Sequence, residues 1–86
     1  MWPCRMIRPV QILAARSLLG LSQTELAKRA SIGLATLQRM ETGGSEVRGS
    51  AKTIWKLEKA LETAGIMFID QDEAHGPGVR LRKPFP

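Results

Sequence analysis

Apolar residues recur every three or four positions through most of the chain and at alternate positions near its end. The helical spacing predicts four helices, over residues 9–19, for about two turns after Ser22, over residues 34–42 and over residues 51–64. The alternating stretches 66–69 and 78–82 predict two antiparallel strands joined by a polar, turn-rich linker. The pattern therefore predicts a mainly α fold with a C-terminal β-hairpin.

The same pattern divides the chain into one folded unit with two short ends. Residues 1–8 have no periodicity and are expected to form a flexible N-terminal arm. Residues 9–65 are expected to form a helical domain, and residues 66–82 a hairpin that needs a partner because an isolated two-stranded hairpin is only marginally stable. Residues 83–86 are expected to be a frayed tail. A chain of 86 residues allows one domain with a modest core.

One charged residue interrupts the apolar stripe of the first helix. Arg16 lies on the same side of that helix as Ile12 and Leu19. An unpaired buried charge is costly, and Glu41 lies on the inward face of the helix over residues 34–42. We therefore predict an ion pair between Arg16 and Glu41. The alternative is that Arg16 extends its guanidinium to solvent.

Residues 21–41 contain two short amphipathic helices joined by a tight corner, an arrangement found both in DNA-binding proteins and in ordinary helical bundles. Ser22 is a suitable N-cap, and Glu25 follows it at the capping-box spacing. The stretch LSQTELAKRASIGLATLQRMETG resembles the helix-turn-helix of the Cro/repressor (xenobiotic-response-element, XRE) family. The similarity extends over residues 9–64. The matching positions are Ser22-Gln23, Glu25-Leu26-Ala27, Ile32 after the corner and the final Leu37-x-x-Met40-Glu41-x-Gly43.

This resemblance implies a fold and a class of function. It implies a lambda-repressor-like bundle of four to five helices that binds double-stranded DNA as a transcriptional regulator, with a repressor as the leading expectation. It also implies the same pairing of Arg16 with Glu41 that the periodicity predicts.

The resemblance places the helix over residues 34–42 in the major groove of DNA. Its N-terminal and outward side chains would then contact base edges: Leu34, Ala35, Thr36, Gln38 and Arg39. Arg39 is the strongest candidate because a guanidinium can donate two hydrogen bonds to one guanine. The family usually has polar side chains at the positions of Leu34 and Ala35, so specificity is expected to depend heavily on Arg39.

Phosphate contacts are expected on both sides of this helix. The resemblance implies them for Gln23, at the start of the preceding helix, and for Thr42, just past the recognition helix. A helix N-terminus suits such a contact because it offers free N–H groups and a positive dipole. Further candidates surround the start of the next helix: Arg48, Ser50 and Lys52. For each of these residues, a capping role or a solvated position is the alternative.

The corner between the two short helices departs from the family at Ser31. Most members have Gly there, because a left-handed backbone conformation is usual at that point. A residue other than Gly in this conformation costs on the order of 1 kcal/mol. We therefore expect Ser31 to tolerate replacement by Gly.

Composition narrows the classes of function. Thirteen Lys and Arg against eight Asp and Glu give a net charge of +5, which favours a polyanionic partner. No nucleophile, base and orienting residue are spaced as catalysis requires, so neither an enzyme nor a cofactor is expected, and no small-molecule site is evident. Cys4 and His75 are each alone, which argues against a disulfide or a metal site. A lone cysteine is typical of a reducing compartment, and a cytoplasmic location is expected. No apolar run reaches the ~20 residues of a membrane span.

Two kinds of protein partner fit the sequence. A second copy could pair its hairpin edge to edge across a two-fold axis, which would form a four-stranded sheet and a homodimer; Cro-type proteins pair C-terminal strands in this manner. Alternatively, the chain is an antitoxin whose DNA-binding domain also neutralises a toxin protein. Leu13, Leu18 and Trp55 lie away from the core stripes and would serve such a contact. Packing of Trp55 under the preceding loop is equally compatible with its position.

Overall fold

The computed structural model describes residues 7–42 and 49–85, which form four helices and one two-stranded antiparallel sheet. In chain order these elements are α1 (Pro9–Leu19), α2 (Gln23–Ala30), α3 (Leu34–Glu41), α4 (Ala51–Thr63), β1 (Ile66–Ile69) and β2 (Gly78–Leu81). The predicted mainly α fold with a C-terminal hairpin is confirmed. The last residues of α3, α4 and β2 each lie one position earlier than the sequence predicts.

Individual residues at the helix ends explain where the helices start and stop. The Ser22 hydroxyl accepts a hydrogen bond from the Glu25 amide at 3.1 Å, and the Glu25 carboxylate accepts one from the Ser22 amide at 3.0 Å. These bonds form the predicted capping box of α2, and the Ser22 amide, followed by its side chain, lowers the pKa of Glu25. Ser50 caps α4 by accepting from the Thr53 amide. Gly20, with φ of 68°, ends α1 in the left-handed conformation.

The corner between α2 and α3 has the backbone conformation expected for it. Ser31 has φ of 57° and ψ of 46°, and it is the one non-glycine residue with positive φ in the described part of the chain. Its amide donates to the Lys28 carbonyl, and the Ile32 amide donates to the Ala27 carbonyl. These bonds close the end of α2 and turn the chain toward α3.

The core is one apolar cluster enclosed by the four helices and the inner face of the hairpin. All its members are at most 8% exposed: Ile7, Ile12, Ala15, Leu26, Ala27, Ala30, Leu37, Met40, Leu57, Leu61, Ile66 and Phe68. Burial of these side chains is the main source of stability for a helix set this short. No helix in the described residues is long and apolar enough to cross a bilayer.

The predicted N-terminal arm is too long by two residues. Ile7 is 4% exposed and belongs to the core, and Arg8 is the N-cap of α1. A single apolar residue before a proline carries no periodic signal, so its burial could not be inferred from spacing. The folded domain therefore begins at or before residue 7.

The hairpin buries one face and exposes the other. Ile66 pairs with Leu81 and Phe68 with Val79, and these four side chains pack on the core. Met67, which pairs with Arg80, and Ile69 point outward and are 44% and 43% exposed. The alternation therefore follows the period of two expected for a strand with one buried face.

A buried amide fastens the hairpin to α1. Gln11 is 3% exposed, and its Nε2 donates to the Gly78 carbonyl at 2.9 Å and to the Ile69 carbonyl at 3.4 Å. Its Oε1 accepts from the Arg8 amide at 2.7 Å. One side chain thus bonds both the start of α1 and the end of the sheet next to the connecting loop, which supplies the partner that an isolated hairpin needs.

Candidate nucleic-acid interface

An ion pair holds α3 against α1. Arg16 Nε lies 2.9 Å from Glu41 Oε2, and Arg16 Nη2 donates to Glu41 Oε1 at 3.0 Å, so the contact is bidentate. Arg16 Nη1 also donates to the Leu21 carbonyl at 3.1 Å. The side chains of Arg16 and Glu41 are 19% and 4% exposed. The ion pair expected from the sequence is therefore present, and Arg16 does not extend freely into solvent.

A third side chain joins this pair. Gln23 Nε2 donates to Glu41 Oε1 at 3.2 Å. The carboxylate of Glu41 thus accepts from two side chains and fixes the first residue of α2 relative to the last residue of α3. An amide nitrogen carries two protons, so Gln23 keeps one donor beyond this bond.

The opposite side of α3 is exposed. Leu34 is 40% exposed, and Ala35, Gln38 and Arg39 are also exposed, whereas Thr36 is partly buried. At 100° per residue the four exposed positions occupy an arc opposite Leu37 and Met40, which are fully buried. The structure therefore places most of the residues expected to contact bases together on one accessible face.

Two hydrogen bonds organise the polar groups along this face. Arg39 Nη2 donates to Thr36 Oγ1 at 3.4 Å, one turn earlier. Thr42 Oγ1 donates to the Gln38 carbonyl at 2.9 Å, so the hydroxyl expected to contact phosphate is engaged with the helix end. Its oxygen can still accept a hydrogen bond but cannot donate to a phosphate while this bond persists.

The other expected phosphate contacts are partly brought together. Ser50 and Lys52 lie at the start of α4 and are both exposed. The Ser50 hydroxyl is occupied in capping, since it accepts from the Thr53 amide at 3.1 Å and lies 2.9 Å from Thr53 Oγ1. Its capping role, the stated alternative, is thus present. Arg48 lies outside the described residues.

The helix pair α2 and α3 presents positive charge to solvent. Its two carboxylates are engaged, Glu25 in the capping box and Glu41 in the ion pair. Lys28, Arg29 and Arg39 are exposed. An excess of solvent-facing cations over free carboxylates is the electrostatic requirement for a surface that approaches phosphates.

Comparison with known families decides the class of this motif. A family model described as helix-turn-helix matches residues 12–64, more than half of the chain. The chain belongs to the helix-turn-helix family. The match is of the XRE type, as the sequence resemblance implies, so the protein is of the DNA-binding transcription regulator kind and double-stranded DNA is its partner class. No curated protein matches the chain.

Sequence reasoning missed two polar contacts of this helix-turn-helix domain. The bond from Gln23 to Glu41 was not foreseen, although an inward carboxylate with spare acceptor sites indicates a second donor. The role of Gln11 was also missed; a glutamine three residues after a helix N-cap is the local signal for part of it. Within the described residues, no group of three or more His, Cys, Asp or Glu side chains is placed to hold a metal ion.

Proposed function

We propose that the protein is a repressor that binds a specific double-stranded DNA operator as a homodimer, with α3 in the major groove. The observation that carries this proposal is the division of α3 into two faces. One face is fixed by the buried Leu37 and Met40 and by the Glu41 ion pair. The other presents Ala35, Gln38 and Arg39 to solvent. A rigidly held helix with an accessible polar face meets the geometric requirement for reading base edges.

Arg39 is the main specificity residue in this proposal. It is exposed near the C-terminal end of α3, and its hydrogen bond to Thr36 orients the guanidinium along the helix. A guanidinium can donate two hydrogen bonds to O6 and N7 of guanine, which discriminates against other bases by about 1–3 kcal/mol. Gln38 reads adenine or contacts phosphate, and the methyl groups of Ala35 and Thr36 contact thymine. Leu34, at the entry of α3, contributes apolar contact alone.

Phosphate contacts position α3 without reading sequence. Gln23 donates its second amide proton to a phosphate at the N-terminus of α2, while Glu41 holds its first. Lys52 adds charge beside the N-terminus of α4, and Thr42, Ser50 and Arg48 complete the proposed set. Occupation of the operator then excludes competing proteins, which is the simplest mode of repression.

The hairpin is the proposed dimerisation element. Its outer face carries the exposed Met67 and Ile69, which are apolar side chains that a second copy would cover. Two recognition helices related by a two-fold axis would contact half-sites about one helical turn, ~34 Å, apart.

The proposal is tested by replacing Arg39 and Lys52 separately with Ala. Arg39→Ala should weaken binding to the preferred site by roughly 5- to 150-fold and relax base preference at one position. Lys52→Ala should weaken all duplexes to a similar degree and reduce the slope of log affinity against log salt by about 1. Lys83→Ala, in the C-terminal tail, is the matched control and should change neither quantity. Unchanged affinity and preference in Arg39→Ala would exclude the groove assignment.

A further inference from the structure

A basic groove that includes one aromatic side chain lies on the side of the molecule formed by α2 and α4. Its walls carry Arg29, Lys56 and Lys59, and Trp55 lies among them, 38% exposed. Lys59 Nζ is 6.0 Å from the centre of the Trp55 ring. Neutral small residues of both helices and of their C-caps complete the lining: Ala30, Ser31, Ala60, Thr63 and Ala64. With three cations and no carboxylate in its lining, the groove favours an acidic occupant.

The loop between the two strands has the complementary charge. Residues 70–76 contain Asp70, Asp72 and Glu73, all exposed, and no Lys or Arg. Asp72 Oδ1 accepts hydrogen bonds from the amides of Ala74 and His75 at 2.8 and 2.7 Å. Three of the seven Asp and Glu residues in the described part of the chain therefore lie in this short acidic loop.

The acidic loop of a chain cannot reach the groove of the same chain. Ala64, in the groove lining, directly precedes Gly65 and the start of β1. The loop begins only at the far end of β1, about 13 Å further along an extended strand of four residues. Gln11 fixes that far end against α1 through the Ile69 and Gly78 carbonyls. An acidic loop that occupies the groove must therefore belong to another molecule.

Pairing of β1 with β1 of a second copy would bring loop and groove together. Of the two strands, β1 has the edge suited to pairing, since β2 is preceded by Pro77 and carries the exposed charge of Arg80, two features that protect an edge. Directly opposed residues of an antiparallel pair have side chains on the same face, so a two-fold pair of β1 strands is centred on one residue and its own counterpart. In a pair centred on Phe68, the outward-facing Met67 lies opposite the second copy's residue 69. Continuing this register places the acidic loop beside the second copy's residues 63–65, at the end of its groove.

We infer that the groove formed by Arg29, Trp55, Lys56 and Lys59 receives the acidic loop of a second copy of this chain, and that this contact fixes the register of the homodimer. The inference rests on the homodimer of the proposed function and adds a defined pair of surfaces to it. Each contact occurs twice in a two-fold dimer, so its effect on association is doubled. Because the surfaces are exposed and opposite in charge, the dimer should weaken as salt is added.

The test is a charge exchange measured by sedimentation equilibrium without DNA. Lys59→Glu and Glu73→Lys should each weaken dimerisation by about tenfold, because each replaces two attractive contacts with two repulsive ones. The double variant Lys59→Glu/Glu73→Lys should recover most of the loss. Lys28→Glu is the matched control, an exposed cation on α2 outside the groove lining. Lys28→Glu should weaken the dimer less than Lys59→Glu does, and adding Glu73→Lys to Lys28→Glu should not restore dimerisation.

Fluorescence of Trp55 measures independently whether its ring is covered in the dimer. The chain has two Trp and no Tyr, so Trp2→Phe leaves Trp55 as the sole strong emitter. Its emission should shift to the red on dilution through the dimer dissociation constant, because the loop of the second copy leaves the ring. Failure of the double variant to recover, or a chain that remains monomeric at near-millimolar concentration, would overturn the inference. DNA affinity of the same variants is measured in parallel: retained DNA binding with no charge rescue refutes the dimer contact alone and leaves the DNA-binding proposal intact.

Discussion

Replacement of Glu41 by Gln isolates the contribution of the ion pair that holds α3 to the rest of the domain. The substitution keeps the size and one carbonyl oxygen of the side chain but removes its charge. Arg16 then faces a neutral amide in place of a bidentate carboxylate, and Arg16 and Gln23 compete for the single remaining oxygen of residue 41. The expected result is a large loss of stability without a change of fold.

The magnitude follows from the burial of the two partners. Removing one partner of a fully buried ion pair costs about 3–5 kcal/mol, since the remaining charge is left uncompensated. The Glu41 side chain is 4% exposed, close to this limit, whereas Arg16 is 19% exposed and keeps its hydrogen bond to the Leu21 carbonyl. Partial hydration of Arg16 places the expected loss at the lower end, about 3 kcal/mol. For a domain of this size, that corresponds to a decrease in Tm of roughly 12 to 24 °C.

Urea and thermal unfolding followed by circular dichroism measure this loss directly. The control is Arg16→Met/Glu41→Leu, which removes both charges and should be within about 1 kcal/mol of the unmodified chain, because a well-packed apolar pair can replace a buried ion pair. A loss below about 0.5 kcal/mol in Glu41→Gln would refute the argument, as would a double variant less stable than the single one.

Two further stability predictions concern the corner and the hairpin. Ser31→Gly should raise the free energy of unfolding by about 1 kcal/mol, because Ser31 holds φ of 57° at a cost that Gly avoids; a lower Tm in thermal unfolding would contradict this. Gln11→Ala should lower the free energy of unfolding by about 2 kcal/mol, because it removes the side chain that bonds the Arg8 amide and the Gly78 carbonyl. The backbone amides of β1 and β2 should then exchange with deuterium faster than those of α2. Val10→Ala, at an exposed position of the same helix, is the control. Gln11 would not fasten the hairpin if both variants lost the same free energy of unfolding, or if strand and helix amides in Gln11→Ala were equally protected from exchange.

The sequence was sufficient for the features that depend on local or periodic information. The stripes that contain Ile12 and Ala15, and Leu57 and Leu61, predicted α1 and α4 to within one residue, because a short amphipathic helix buries one face. The alternation in residues 66–69 predicted β1, and the inward position of Arg16 predicted its need for a partner. Each of these features is determined by residues that are close together in the sequence.

Features that depend on distant residues could not be predicted in the same way. Gln11 bonds carbonyls 58 and 67 positions away, and nothing in its own neighbourhood indicates that the hairpin returns to α1. Ile7 is buried because the hairpin and helices enclose it, whereas the surrounding sequence has no periodicity. The basic groove likewise combines Arg29 from α2 with Lys56 and Lys59 from α4, a grouping that appears only when these helices pack.

Selection of bound duplexes from a random pool is the most direct test that α3 selects DNA sequence mainly through Arg39. The unmodified chain and Arg39→Ala are compared in parallel at one stated salt concentration. We expect a palindromic site with half-sites about one helical turn apart, and a G·C pair in each half-site whose enrichment disappears in Arg39→Ala. Enrichment of the same site by both proteins, or of no site by either, would contradict it.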